Sequence, residues 1–307
     1  MDMKELLEEL IKECFPYTKK GQVATYIPEL AKADTNMLGA YIISDDGNHY
    51  FSGDCMHKFT IQSISKTILL LQALIDNGRE VVSSRVGVEA TGKPFDAINV
   101  SGQRLDSKNL NPMVNMGAIL MCTLINGSTY EEKFNRVLSL TRELSGNPDI
   151  DIDESVYLSE KACGSKNRAL AYLLKSYGML DDDVEEVLDC YFRACSISVT
   201  CKDLANIGFV LGNKGRALGT NERIVPEKYT RYVNATLVTC GMYDGSGEFA
   251  LRVGVPAKSG VGGGIMAVVP AKMGIGIYSP ALDEKGNSVA GIKLLEKISE
   301  NLCLSIF

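Results

Sequence analysis

Residues 59–76, FTIQSISKTILLLQALID, carry the sharpest signal in this chain. From Ser65 to Asp76 the run reads as an apolar helix that stops at Asn77-Gly78. Ser63 and Lys66 stand at its head. On a helix, positions i and i+3 share a face, so Lys66 stacks one turn above Ser63. Serine is a poor nucleophile at its free pKa and needs a base. A lysine held in a dry pocket can lose its proton and accept one from the hydroxyl. The helix N-terminus adds free N–H groups and a positive dipole end, both of which favour a developing oxyanion. The plain alternative is a solvated Ser and Lys at a helix start, because S-x-x-K also occurs by chance.

A second stretch answers the first. Lys258-Ser259-Gly260-Val261-Gly262-Gly263-Gly264 falls between two expected strands. In serine acyltransferases of the S-x-x-K kind, a K-[ST]-G strand forms the opposite wall of the site. Its glycines let substrate approach the backbone, and a backbone N–H there can complete an oxyanion hole. Taken alone, the stretch reads as a flexible hairpin loop. It is a poor phosphate loop, since no Lys-Ser/Thr pair follows the glycines and no helix opens there. S-x-x-K at the head of a helix, followed by K-S-G on a late strand, points to an acyl-enzyme hydrolase.

Around these stretches the chain changes character twice. Leu6, Leu7, Leu10, Ile11 and Cys14 make one apolar stripe at helical spacing. Leu38–Ser44 and His49–Gly53 flank Asp45-Asp46-Gly47-Asn48 and read as a β-hairpin. From Ile61 to about Pro226 the pattern is mainly helical, with candidates at Met116–Leu124, Tyr130–Leu144, Lys166–Tyr177, Val184–Phe192 and Lys202–Leu211. Near Thr236 the β character returns, with runs at Phe249–Pro256, Ile265–Val269 and Met273–Ser279, before a closing helix at Ile292–Leu302. Strands at both ends with helices between argue against a parallel βαβ array. They predict an α+β fold whose antiparallel sheet is built from both chain ends, with flanking helices and a mainly helical lobe. The expected division is 1–60 with 227–307 for the sheet lobe and 61–226 for the helical lobe. A cleft between lobes is the default place for a site.

Composition narrows the function. The 307 residues are 45% hydrophobic and 23% charged, which excludes a disordered chain or a coiled coil. The net charge of −6 argues against a nucleic-acid partner. Nine cysteines without a C-x-x-C pair read as reduced thiols of a cytoplasmic protein. Two histidines, His49 and His57, leave little for a histidine metal site or a His-based triad. The acidic start is unlike a signal peptide, and the apolar stretch from Ile64 to Ile75 is too short to span a bilayer.

One stretch mimics a metal site. Asp149, Asp151, Asp153 and Glu160 have the spacing of a calcium loop, but Glu154 stands where the sharp turn needs Gly. Acidic residues also gather ahead of helices for capping reasons, as in Asp181-Asp182-Asp183. Cys190, Cys195 and Cys201 lack metal-ligand spacing.

The wider pattern resembles the bacterial-type glutaminases of the serine-dependent β-lactamase-like superfamily, and with them the catalytic domain of animal glutaminases. The similarity runs from Gly21 to the final helix. It rests on YIPEL at 26–30, FTIQSISK at 59–66, NPMVNMGAI at 111–119, SEKACGSKNRALAYLL at 159–174, YFRACSI at 191–197, CGMYDGSGEFA at 240–250 and KSGVGGGI at 258–265. The length leaves no room for the ankyrin repeats and leader of the animal enzymes, so a single catalytic domain over 1–307 is expected.

The resemblance implies a β-lactamase/transpeptidase-like fold and hydrolysis of L-glutamine to L-glutamate and ammonia without a cofactor or metal. It implies Ser63 as nucleophile, Lys66 as activating base, and the Ser63 and Val261 amides as oxyanion hole. Tyr191 and Tyr243 would lie near the Ser–Lys pair, where either could relay a proton to ammonia. Tyr26, Gln62, Asn115, Glu160 and Asn167 would hold the amino-acid end. That set makes chemical sense: Glu160 supplies the anion an α-ammonium requires, and Asn and Tyr donors can hold a carboxylate without Arg. Lys166-Asn167 replaces an expected Arg-Asn, and Ala194 replaces Gln; neither is a proposed chemical group. The family also implies a homo-oligomer, dimer or tetramer. Two rivals are a penicillin-recognising serine hydrolase and a catalytically idle amino-acid-binding protein on the same fold.

Overall fold

The computed structural model describes residues 2–97 and 106–307. Helix α1 (Met3–Cys14) buries Leu7, Leu10, Ile11 and Cys14 along one stripe. Strands β1 (Gly39–Ser44) and β2 (His49–Gly53) form the hairpin, and β3 (Phe59–Thr60) leads into the serine segment. Helices α2 (Ser65–Arg85), α3 (Asn115–Leu124), α4 (Tyr130–Ser145), α5 (Glu154–Cys163), α6 (Ser165–Ser176) and α7 (Val184–Cys195) follow. The short strand β4 (Ser198–Val199) pairs with β3 and pins the end of α7 beside the start of α2. After it come α8 (Cys201–Gly212), α9 (Glu227–Cys240), α10 (Ser246–Arg252), β5 (Ala257–Ser259), β6 (Gly264–Val269), β7 (Met273–Tyr278) and α11 (Val289–Leu302).

The main sheet has the order β2-β1-β7-β6-β5, all antiparallel. Both ends of the chain therefore build it, since β1 from residue 39 pairs with β7 from residue 273. Strand β7 shows how its two faces differ. Ile275 and Ile277 point into a core shared with Leu7 and Leu10 of α1 and Leu294 and Ile298 of α11. Gly274 and Gly276 point the other way, where α8 lies directly on the sheet. A Cβ at Gly274 would stand 2.0 Å from the Ala205 carbonyl oxygen, and one at Gly276 2.0 Å from that of Cys201. No side chain fits there, and alternation along the strand supplies glycine at both places.

The structure corrects three local readings. Phe249–Pro256 is not a strand: α10 runs to Arg252, Phe249 and Val253 are buried four apart, and Leu251 between them is exposed. Gly254 at φ 72° ends that turn, and extended pairing begins only at Ala257. Thr236 lies inside helix α9, where Thr230, Val233, Leu237 and Cys240 bury one face at helical spacing. Burial against neighbours overrides the strand preference of its β-branched residues. The helix expected to stop at Asn77-Gly78 breaks at Gly78 (φ 78°, ψ 170°) but resumes to Arg85. Just before the break, the Asn77 side-chain amide donates to the carbonyl of Ala73 and ties α2 to the end of α3 through the carbonyl of Leu124.

Helix α8 falls in the middle of the chain yet covers the sheet, and α9 falls in the later part yet shares a core with Leu70, Leu71 and Leu74 of α2. One large apolar cluster thus joins the helical part to one sheet face, and a second fills the space under α1 and α11.

Candidate active site

Ser63 sits in a single 3-10 turn, Gln62–Ile64, that runs straight into α2. Gln62 before it takes φ 48°, a backbone conformation that side-chain-bearing residues adopt at a cost. The late glycines explain how this turn is held. A Cβ at Gly260 would meet the Ile61 carbonyl oxygen at 2.6 Å, and one at Gly262 that of Thr60 at 2.6 Å. These glycines admit the backbone of the serine turn itself. They bring Val261 beside Ser63, and the cavity in front is lined by both.

Lys66 is fully buried. Its Nζ lies 2.9 Å from Ser63 Oγ and 2.7 Å from Asn115 Oδ1. Burial pushes its pKa down to about 8, against the opposing pull of Cys195, Glu160 and Asp96. No carboxylate lies within ion-pair reach of it among the described residues. The lysine is therefore poised to exchange a proton near neutrality. Asn115 donates in turn to Asn167 Oδ1 at 2.9 Å.

A second lysine shares this interior. Lys258 on β5 is also fully buried, and its Nζ donates to the carbonyls of Gly241 at 2.9 Å and Ser259 at 2.7 Å. It stands 4.3 Å from the centre of the Tyr243 ring. Burial, and then the neighbouring Lys66, hold its pKa well below the usual lysine value. Tyr243 has φ 56°, so its backbone is also strained. Its buried hydroxyl faces Ser63 and the Val261 amide without meeting a partner in good geometry, and burial raises its pKa.

The cavity in front of Ser63 measures about 290 Å³. Tyr26, Gln62, Ser63, Asn115, Glu160, Asn167, Tyr191 and Val261 line it, while Lys66 lies behind Ser63 and Tyr243 beside it. All ten residues singled out in the sequence thus come to one place, from seven separate parts of the chain. Glu160 is buried with Oε2 unpartnered. Burial raises its pKa to about 8, with Gln62 and Lys66 pulling the other way. A buried carboxyl with a free oxygen on a cavity wall suits a cationic ligand group. Tyr191 is buried with its hydroxyl toward Cys195, and burial raises its pKa. More than half of Tyr26 is exposed, but its hydroxyl is the crowded end, and burial there raises its pKa too.

The acidic run at 149–153 has other duties. Asp153 caps α5, accepting from the Ser155 and Val156 amides at 3.0 Å. Asp149, Asp151 and Asp153 line a separate concavity, whereas Glu160 faces the serine cavity. The calcium-loop spacing is therefore split between two sites.

Phe95, Asp96, Cys163, Lys166 and Cys195 also line the cavity. None was a candidate from the sequence. Phe95 and Asp96 lie in an irregular stretch without periodicity, held by the Lys166–Asp96 ion pair at 2.5 Å and by Asn115 N–H donating to the Phe95 carbonyl at 2.9 Å. Only the fold brings them there.

A family model described as Glutaminase matches residues 21–307. The chain belongs to the glutaminase family. A glutaminase of Clostridium tetani is 53% identical over 305 residues, covering 99% of this chain and all of that protein. Glutaminase 2 of Clostridium perfringens is 51% identical with the same coverage. Among solved structures, a covalent complex of a Bacillus subtilis glutaminase with 5-oxo-L-norleucine, formed by reaction with 6-diazo-5-oxo-L-norleucine, is 37% identical, with TM-score 0.91 and full coverage of both chains. The α+β architecture described above is thus the glutaminase architecture.

Proposed function

We propose that this member of the glutaminase family hydrolyses L-glutamine to L-glutamate and ammonia through a glutamyl ester on Ser63. The observation that carries the reading is the 2.9 Å contact between Ser63 Oγ and the buried Lys66 Nζ, at the floor of a cavity whose wall holds the unpartnered Glu160 carboxyl. The covalent adduct of a glutamine-like diazoketone with the Bacillus subtilis relative supports it.

In this mechanism neutral Lys66 takes the Ser63 proton as Oγ attacks the side-chain carboxamide carbon. The Ser63 and Val261 amides hold the oxyanion, each worth ~3 kcal/mol in the transition state. The C–N bond breaks, the proton passes to the departing ammonia by way of Tyr243 or Tyr191, and water then releases glutamate. Glu160 holds the α-ammonium with Gln62 beside it. Asn115, Asn167 and Tyr26 supply donors for the α-carboxylate. No cofactor or metal has a part in these steps.

The test measures ammonia and glutamate release by wild type and Ser63→Ala, with penicillin as an alternative substrate. Release by wild type alone, with glutamine still bound by Ser63→Ala, is the expected result. Glutamine binding without release would favour an idle binding protein, and acylation by penicillin would favour the other rival. The same reading places the protein in the cytoplasm, with neither nucleic acid nor membrane as partner, supported by the net charge of −6 and by seven buried free cysteines among the described residues. The expectation of a dimer or tetramer rests on the family resemblance, and light scattering on the purified protein tests it.

A further inference from the structure

Two cavities meet at one aromatic ring. The serine cavity of about 290 Å³ and a side cavity of about 110 Å³ are both lined by Phe95. The side cavity continues past Tyr243 to Thr91, Val114 and Thr239. The Phe95 and Tyr243 rings are 4.6 Å apart, and Lys66 Nζ lies 5.5 Å from the Phe95 centroid. A Cβ added to Gly286 would find Tyr243 Cε2 and Val261 Cγ1 at 3.5 Å and Phe95 Cε1 at 3.7 Å, so these three side chains converge on one spot. Val261 and Tyr243 belong to the carboxamide end of the site; Glu160 and Asn167 belong to the amino-acid end. On that reading Phe95 stands at the carboxamide end, beside the tyrosine that faces Ser63.

We propose that Phe95 is a specificity-determining residue whose ring closes the leaving-group end and restricts the departing amine to ammonia. The proposal rests on the glutamine-hydrolase reading. An N-alkyl glutamine presents the same ammonium, carboxylate and carbonyl, and its extra carbons point at Phe95. The chemistry balances identically: the Ser63 Oγ–C bond forms, the C–N bond breaks, the hydroxyl proton leaves with the alkylamine, and water releases glutamate. Ethylamine is a stronger base than ammonia, so the two amides differ electronically as well as in size. That difference is the same in every variant, and the change in their ratio between variants isolates space. One methylene misplaced in a defined pocket costs roughly 10–200-fold in kcat/KM. Removing the ring joins the side cavity to the site, and about 110 Å³ is room for an ethyl group.

The experiment compares kcat/KM for L-glutamine and γ-N-ethyl-L-glutamine in wild type, Phe95→Ala, Phe95→Leu and Phe95→Ala/Thr239→Phe. Thr239 lines the side cavity and not the main one. Wild type is expected to prefer glutamine by at least ~100-fold. Phe95→Ala should shrink that preference at least ~10-fold, Phe95→Leu less, and Thr239→Phe should restore it. If Phe95→Ala does not fold, Phe95→Leu carries the test. An unchanged ratio in a variant that still hydrolyses glutamine overturns the proposal alone, as does a wild type that takes both amides equally. A wild type inert toward glutamine overturns the hydrolase reading, and this proposal with it.

Discussion

Asn115 turns its side-chain oxygen to Lys66 at 2.7 Å and its amino group to Asn167 at 2.9 Å. A protonated lysine offers only donors, so the oxygen of Asn115 must face it. The Asn115 amino group then takes the Asn167 oxygen, and the Asn167 amino group is left for the cavity. One proton on Lys66 thus orients two amides, and the second of them presents a donor suited to a carboxylate.

That chain can be broken without changing shape. Asn115→Asp places an anion 2.7 Å from Lys66, in the position of the present oxygen, and an adjacent opposite charge raises a lysine pKa by about 1–3 units. Lys66 would then stay protonated at neutral pH. The expected kcat is lower by at least ~100-fold at pH 7.5, with partial recovery as pH rises. A variant whose pH profile matched wild type would refute the coupling.

Burial pushes the pKa of Glu160 up to about 8 and that of Lys66 down to about 8. The base requires neutral Lys66, and an α-ammonium requires ionised Glu160, so kcat/KM should rise with pH through about 8. The stability sign is opposite for the two groups. Glu160 has its folded pKa raised, so the folded state holds an extra proton between its unfolded value and about 8, and stability falls across that window. Lys66 has its folded pKa lowered, so stability rises between about 8 and its unfolded value. Glu160→Gln removes the first contribution. Its Tm should match wild type near pH 4, below the unfolded value, and exceed it by a growing margin up to pH 9, while KM for glutamine rises. Calorimetry at the two pH values and initial-rate kinetics check both.

The Tyr243 hydroxyl is buried and unpartnered. An unsatisfied buried hydroxyl contributes nothing to stability and its removal is neutral or favourable. Tyr243→Phe should therefore keep or slightly raise Tm while lowering kcat by at least ~100-fold, the scale of a lost proton relay. A fall in Tm with kcat preserved would assign the hydroxyl to packing.

Two glycines give opposite outcomes on substitution. Gly274→Ala drives a Cβ to 2.0 Å from the Ala205 carbonyl oxygen and 2.1 Å from the Phe209 nitrogen. Neither backbone can yield without lifting α8 off the sheet, so the cost is about 3 kcal/mol or more, seen as a Tm drop of roughly 5 °C or more. Gly247 on α10 has nothing within 4 Å of an added Cβ and no positive φ. Gly247→Ala should stabilise by about 0.4–1 kcal/mol through the unfolded chain and helix preference. Equal effects of the two would contradict the α8–sheet contact.

What the sequence determined by itself was local or periodic. The 3.6-residue stripes of α1 and α11, the hairpin at 39–53, and the Ser63–Lys66 spacing follow from side-chain order along one element, and they were legible without any partner. The K-S-G stretch and its glycines were legible as a feature, but not for their reason. Only the fold shows that Gly260 and Gly262 admit the backbone of the serine turn. Tertiary packing alone decided that TLVTC at 236–240 is helical, that α8 lies on the sheet, and that Phe95 and Asp96 reach the cavity. It also decided the chemistry of the two lysines. A lysine loses its proton near neutrality because water is removed from every side at once, and that depends on residues as distant in the chain as Asn115, Glu160 and Cys195. Spacing can bring Lys66 to Ser63, but only the surrounding fold can dry it.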